Sequence, residues 1–190
     1  MELLLILFGS VFVSNIVLVQ FLGICPFLGV SSRLTTAVGM GAAVVFVMTL
    51  ATIATYLIQN LILIPLNITF MQTVAFILVI ASLVQLVEIV MKKVSQPLYQ
   101  ALGVFLPLIT TNCAILGATL LVINNQYNLA EGIIFAVGSS VGFMIALLLM
   151  AAIRERLALL EVPKAMRGGP ITLVTAGLLA LAFMGFTGMV

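Results

Sequence analysis

The chain has 190 residues, of which 64% are hydrophobic and 6% charged, with a net charge of +2 and no histidine. Soluble domains are about a quarter charged, so seven basic and five acidic side chains cannot solubilise this one. A mean hydropathy of +1.42 makes it an integral membrane protein. Without His or Asp, the usual donors of zinc sites, catalytic triads and carboxylate-bound magnesium are missing. So small a positive charge gives no sign of a nucleic-acid partner, and none is expected.

A helix needs about 20 apolar residues to cross a hydrocarbon core of about 30 Å. Uncharged runs cover roughly 3–30, 34–59, 71–91, 98–123, 132–153 and 171–190. They predict an all-α, polytopic membrane protein of six transmembrane helices, residues 1–190 forming one integral domain. The N-terminus, which opens on Glu2 rather than a basic segment, does not read as a cleaved signal peptide. The first run is longer than a crossing needs and contains Gly23-Ile24-Cys25-Pro26, where Pro removes a backbone donor and disfavours helix before it. The fourth contains Pro107 and the polar string Thr110-Thr111-Asn112. Spans one and four are therefore expected to be broken. Continuous apolar runs exclude the alternating strands of an outer-membrane barrel.

The basic residues fall between spans one and two (Arg33), three and four (Lys92, Lys93), and five and six (Arg154, Arg156, Lys164, Arg167). All seven lie on one side, which the positive-inside rule makes cytoplasmic. Both termini and the 60–70 and 124–131 loops are then extracytoplasmic.

Shifting the chain by 88 positions places Cys25 on Cys113, Leu28 on Leu116, Gly29 on Gly117 and Leu18 on Leu106. Both halves read Cys-x-x-Leu-Gly, and these are the only cysteines. Halves of three spans, 1–95 and 96–190, must enter the membrane from opposite sides. This is an inverted repeat, whose equivalent breaks meet near the midplane. The two cysteine motifs are expected to face each other there.

Two small apolar cysteines can be inert packing. They can also be thiolate ligands, with amides freed at the breaks bonding to a cluster's sulfurs. A [2Fe–2S] cluster usually takes four thiolates, so a chain with two must share it with a partner. A structural disulfide is disfavoured at the midplane of a cytoplasmic membrane.

Among other polar groups, Glu88 is the acid nearest the membrane interior, with Gln85 on its face and Lys92 four residues on. An interfacial Glu88–Lys92 pair and a role in ion handling are both open. Asn15, Gln20 and the Thr110-Thr111-Asn112 string line an ion path or satisfy backbone freed at the breaks. Gly138-x-x-x-Gly142 is a close-packing face. Arg154-Glu155-Arg156 is a charged anchor or a docking surface for cytoplasmic subunits.

The stretches GICPFLGVSSRL (23–34), LILIPLN (61–67), GVFLPLITTNCAILG (103–117), AAIRERLA (151–158), VPKAMRG (162–168) and TAGLLALAFMGFTG (175–188) resemble the RnfA family, the A subunits of Rnf ion-translocating electron-transport complexes. The likeness spans essentially the whole chain. The related E subunit of the sodium-pumping NADH:quinone reductase is easily confused with this family but tends to have a longer loop after span two. The resemblance implies six spans in two inverted halves and pairing with a homologous E subunit of opposite orientation. Cys25 and Cys113 would supply two of four ligands to a [2Fe–2S] cluster near the midplane. It further implies a prokaryotic cytoplasmic-membrane translocase that also contains B, C, D and G subunits. Ferredoxin and NAD would act at other subunits, and electron flow would be coupled to Na⁺ or H⁺ movement. The chain would not be catalytic alone. A secondary transporter, which also uses inverted repeats and broken helices, is the alternative from another class.

Overall fold

A computed structural model describes residues 2–66, 69–94, 106–161, 163 and 166–185. Every regular element among them is helical. Helix α1 (Glu2–Phe8) continues into a π-helical turn (Gly9–Val13), and α2 spans Ile24–Val30. Helix α3 (Leu34–Ile58) runs through a π-turn (Gln59–Leu63) into the single turn α4 (Ile64–Leu66). A 3₁₀ turn (Thr69–Met71) leads into α5 (Gln72–Val94). After α6 (Leu106–Thr110) come α7 (Cys113–Asn124), α8 (Leu129–Ala158) and α9 (Gly169–Met184). Among the described residues four segments are long and apolar enough to cross a membrane: Leu34–Leu63, Gln72–Val90, Pro107–Asn124 and Leu129–Ala158. Leu3–Val13 and Gly169–Met184 are apolar but shorter. Lys164, the 95/96 boundary between the halves and the last five residues lie outside the described residues.

The core is the antiparallel pair α3 and α8. Met40, Val44, Met48 and Ala51 of α3 and Phe143, Ala146, Leu147 and Met150 of α8 are sealed from the surface. Hydrophobicity does not drive such pairing in lipid; close packing does, which favours small residues at the contact. A Cβ on Gly41 would stand 2.5 Å from Met144 Cγ. On the other side of α8, Gly138 and Gly142 admit the backbone of the first segment. A Cβ at Gly142 would meet the Val11 carbonyl at 2.9 Å, and one at Gly138 would collide with Ser10. The Gly-x-x-x-Gly pair is a packing face, as expected. Outward side chains such as Leu78, Leu86, Leu178 and Leu181 are well exposed and apolar, which suits a lipid-facing surface.

Both ends of α8 take part in capping contacts. At its start the Asn128 amide donates to Glu131 Oε2 at 2.9 Å, half of a reciprocal capping box. At its far end, Arg154 Nη1 donates to the Leu28 carbonyl and to Ser31 Oγ, each at 2.8 Å. Glu155 Oε1 accepts from the Leu34 amide at 2.9 Å. The cation therefore caps the end of α2 and the carboxylate caps the start of α3, each matching the helix dipole. Arg154 and Glu155 thus have a structural role that neither an anchor nor a docking surface describes.

Both expected breaks are present, but the first is displaced. Helix is lost from Ser14 to Gly23, upstream of the cysteine. Cys25 and Pro26 sit inside the first turn of α2, where a missing N–H costs nothing because first-turn amides have no helical partner. The fourth run breaks at Thr111-Asn112.

Candidate metal centre

The first break is organised by one side chain. Asn15 is fully buried. Its Nδ2 donates to the Val11 carbonyl at 3.2 Å and to the Gly142 carbonyl of α8 at 3.0 Å. Its Oδ1 accepts from the amides of Val17 and Leu18 at 3.1 and 3.3 Å. Asn15 therefore replaces helical backbone bonds where the helix stops. Of the two roles open to it, the structural one is satisfied in full. Gln20 is exposed.

The segment ends at Gly23, whose φ of +80° makes it a left-handed cap of α2. Glycine is required here twice over. Another residue would be strained by the backbone, and its Cβ would lie 2.8 Å from Phe143, 3.0 Å from Ala114 and 3.1 Å from Asn112 Oδ1. That fit brings the Gly23 amide to 2.9 Å from Cys113 Sγ, to which it donates.

At the second break Asn112 caps α7, its Oδ1 accepting from the Ala114 amide at 3.0 Å. Asn112 is only 4% exposed and its Nδ2 is unpartnered. Thr111 is exposed and donates to the Pro107 carbonyl at 3.0 Å. An apolar cavity of about 320 Å³ adjoins this break, lined by Ile77, Ile80 and Ala81 of α5 with Thr110, Thr111, Asn112, Cys113 and Leu116. Glu88 lies elsewhere. It is half-buried on α5, three turns beyond Ile77 and outside that lining.

Two helix starts thus converge. Cys25 is the second residue of α2 and exposed; Cys113 is the first residue of α7 and half-buried. From there the helices run apart. The end of α2 is held at the far end of α8 by Arg154, whereas α7 ends by the start of α8, where Val122 packs against Gly132. Phe143, which backs Gly23, is midway along the 30-residue α8, about 20 Å from either end at 1.5 Å per residue. Helix starts carry unpaired amides and positive partial charge, an environment suited to an anionic group. Among the described residues no three His, Cys, Asp or Glu side chains cluster to hold a metal. The chain offers a two-thiol donor set with Cys25 turned outward, which fits half of a four-thiolate cluster.

Sequence reasoning singles out both cysteines and Asn112 but passes over Gly23 and Phe143. The signal for Gly23 is its place two residues before a cysteine in a broken run. Phe143 carries none, because its role depends on a contact across the fold.

The profile of the Rnf-Nqr family, described as "Rnf-Nqr subunit, membrane protein", matches residues 3–190. The A subunit of the "Na(+)-translocating ferredoxin:NAD(+) oxidoreductase complex" of Acetobacterium woodii is 59% identical over all of this chain and 98% of its own length. The A subunits of the "Ion-translocating oxidoreductase complex" of Syntrophotalea carbinolica and Pseudoalteromonas atlantica are 58% and 55% identical, with the same coverage.

Proposed function

The chain belongs to the Rnf-Nqr family of membrane subunits, and from that premise we propose that it is the A subunit of an ion-translocating ferredoxin:NAD oxidoreductase complex. It is a multi-pass membrane component of that enzyme, without catalytic activity of its own. Its part is to carry half of a [2Fe–2S] site, with Cys25 and Cys113 as ligands and two further thiolates from a homologous E subunit of opposite orientation. The bound cluster would supply one-electron transfer between carriers on the two membrane faces, with ferredoxin and NAD handled by the B, C, D and G subunits or their soluble partners. Na⁺ or H⁺ movement would be coupled to that flow.

The junction of Gly23 and Cys113 carries this reading. A backbone amide donates to the sulfur of one cysteine, at the point where the helix bearing the other begins. Hydrogen bonds to ligating sulfur and burial are the means by which a protein tunes a cluster. Gly23 supplies the bond, Asn112 orients the start of α7, and Asn15 holds the broken segment in place. The opposite courses of α2 and α7 support an inverted repeat of six spans. The relatives' names favour the A subunit of this complex over the E subunit of the quinone reductase. The transporter reading has no comparable support, since among the described residues no acidic side chain lines the cavity beside the second break. Of the side chains offered to an ion path, Asn15, Thr111 and the Asn112 carbonyl oxygen already bond backbone atoms, which leaves Glu88 and Gln20 for that role.

The test is Cys25→Ser and Cys113→Ser in the assembled complex. Serine keeps nearly the same volume and removes the soft donor. Each variant should lose or strongly alter the [2Fe–2S] spectrum and sharply reduce ferredoxin-to-NAD electron transfer. A complex that keeps its full spectrum and turnover in both variants overturns the assignment.

A further inference from the structure

We propose that the cleft between the end of α8 and the start of α9 binds the headgroup of an anionic phospholipid. The inference is independent of the electron-relay reading and needs only that the chain lies in a membrane.

A cavity of about 350 Å³ opens there, and both Arg154 and Arg167 line it. Arg154 is half-buried and pinned, since its Nη1 is committed to Leu28 and Ser31. Its remaining N–H groups are held in one orientation and stay available, which suits planar recognition of a phosphate. Neither acidic neighbour, Glu155 or Glu161, lines the cavity, and Glu155 accepts from the Leu34 amide. Thr172, only 4% exposed, also lines the cavity and donates to the Gly168 carbonyl at 2.8 Å. The backbone can be approached as well. Of the first amides of α9, those of Ile171 and Thr172 already donate to the Met166 and Gly168 carbonyls, and Pro170 has none. The Gly169 amide remains, and a Cβ at Gly168 or Gly169 would meet nothing within 4 Å, so an anion can reach it. Two guanidinium groups beside a helix start are phosphate-binding chemistry.

The walls decide between a lipid and a free anion. Leu157, Ala158, Leu160 and Ile171 give the lining its apolar part, and Leu160 is 62% exposed. A free phosphate gains nothing from them, whereas the glycerol and upper acyl carbons of a phospholipid do. The cleft also lies at the end of the protein where the basic side chains gather, the depth at which basic pockets between membrane helices take anionic headgroups.

The experiment uses the whole complex, purified and stripped of lipid. Phosphatidylglycerol, phosphatidylcholine or inorganic phosphate is then added, with bound lipid counted by native mass spectrometry and thermal stability followed. Phosphatidylglycerol should be retained and should raise the melting temperature, and the other two should not. Arg167 is exposed, so Arg167→Gln leaves helix packing in place. It should weaken retention of one phosphatidylglycerol by about tenfold or more, as expected for one lost charge-assisted contact. Arg167→Lys should restore part of it. Equal retention by wild type and Arg167→Gln overturns the site. So does retention of phosphatidylcholine to the same extent. Stabilisation by inorganic phosphate alone makes it a free-anion site and overturns the lipid assignment. A wild-type complex that retains no phosphatidylglycerol, as when an acidic segment of another protein in the complex fills the cleft, overturns it too.

Discussion

The Gly23 amide and the Cys113 sulfur, 90 residues apart in sequence, meet at 2.9 Å. The contact needs a residue without a side chain. At φ +80° the Gly23 backbone turns the amide toward the sulfur, and the absent Cβ leaves room for Phe143 and Ala114. One position thus joins the two cysteine motifs and fixes the depth at which they meet.

Gly23→Ala should therefore be costly. A left-handed backbone at an L residue costs about 1–2 kcal/mol, and overpacking a core about 1–3 kcal/mol more. The melting temperature of the complex should fall clearly. Gly29→Ala is the control. Its Cβ would make only an ordinary 3.8 Å contact with Leu108 inside a helix, where alanine is preferred to glycine. That variant should melt close to wild type. Equal effects at the two positions would mean that the close fit at Gly23 does not matter.

Asn15 and Gln20 are two polar residues of one apolar run, and their environments separate them. Asn15→Leu keeps the volume but leaves the Val17 and Leu18 amides without their acceptor. At about 1–3 kcal/mol for each buried unpaired group, the first segment should lose its attachment to α8, and little complex should assemble. Gln20→Leu, at an exposed site, should leave assembly unchanged. Counting assembled complex per cell membrane checks both, and normal assembly of Asn15→Leu would remove the residue from this role.

Much of this is legible in the sequence, for identifiable reasons. Apolar run lengths set the helices because lipid leaves backbone polar groups no other partner. The paired Cys-x-x-Leu-Gly motifs point to a meeting point because few other residues in the chain could carry chemistry. The position of the first break is not legible. Pro26 has the look of a helix breaker, yet proline in a first turn breaks nothing; the break belongs to Asn15, whose decisive partner is a carbonyl in α8. The same limit hides the role of Arg154 and Glu155. Their partners Leu28, Ser31 and Leu34 lie over 120 residues away, and no local pattern announces a cap supplied from that distance.

That corner gives a graded prediction. Arg154→Ala removes two charge-assisted hydrogen bonds and leaves the fully buried Ser31 hydroxyl without its donor. Stability should fall by about 2 kcal/mol or more. Glu155→Gln keeps an oxygen to accept from Leu34 and loses only charge at an exposed helix start, worth about 0.3–1 kcal/mol. Thermal melting of the complex should rank Arg154→Ala well below Glu155→Gln. The reverse ranking would mean that the charge Glu155 places at the start of α3, not the closure of α2, holds the corner.

The corner also bears on orientation. Helix α8 has 30 residues, about 45 Å at 1.5 Å per residue, longer than the hydrocarbon core of about 30 Å. Its two ends are then expected on opposite faces. Arg154 and Arg156 lie at one end, and the Leu34 bond to Glu155 ties the Arg33 loop to that same end. The other end adjoins Asn125, the exposed cap of α7. Basic loops are retained in the cytoplasm, so the Arg33 end is expected inside and the Asn125 end outside. A cysteine introduced at Asn125 should react with a membrane-impermeant maleimide in intact cells. One at the exposed Ser32 should react only after permeabilisation, with the unsubstituted chain as the background for Cys25 and Cys113. The reverse pattern would invert the assigned direction while keeping the two ends apart. Labelling of both sites in intact cells would contradict the crossing itself.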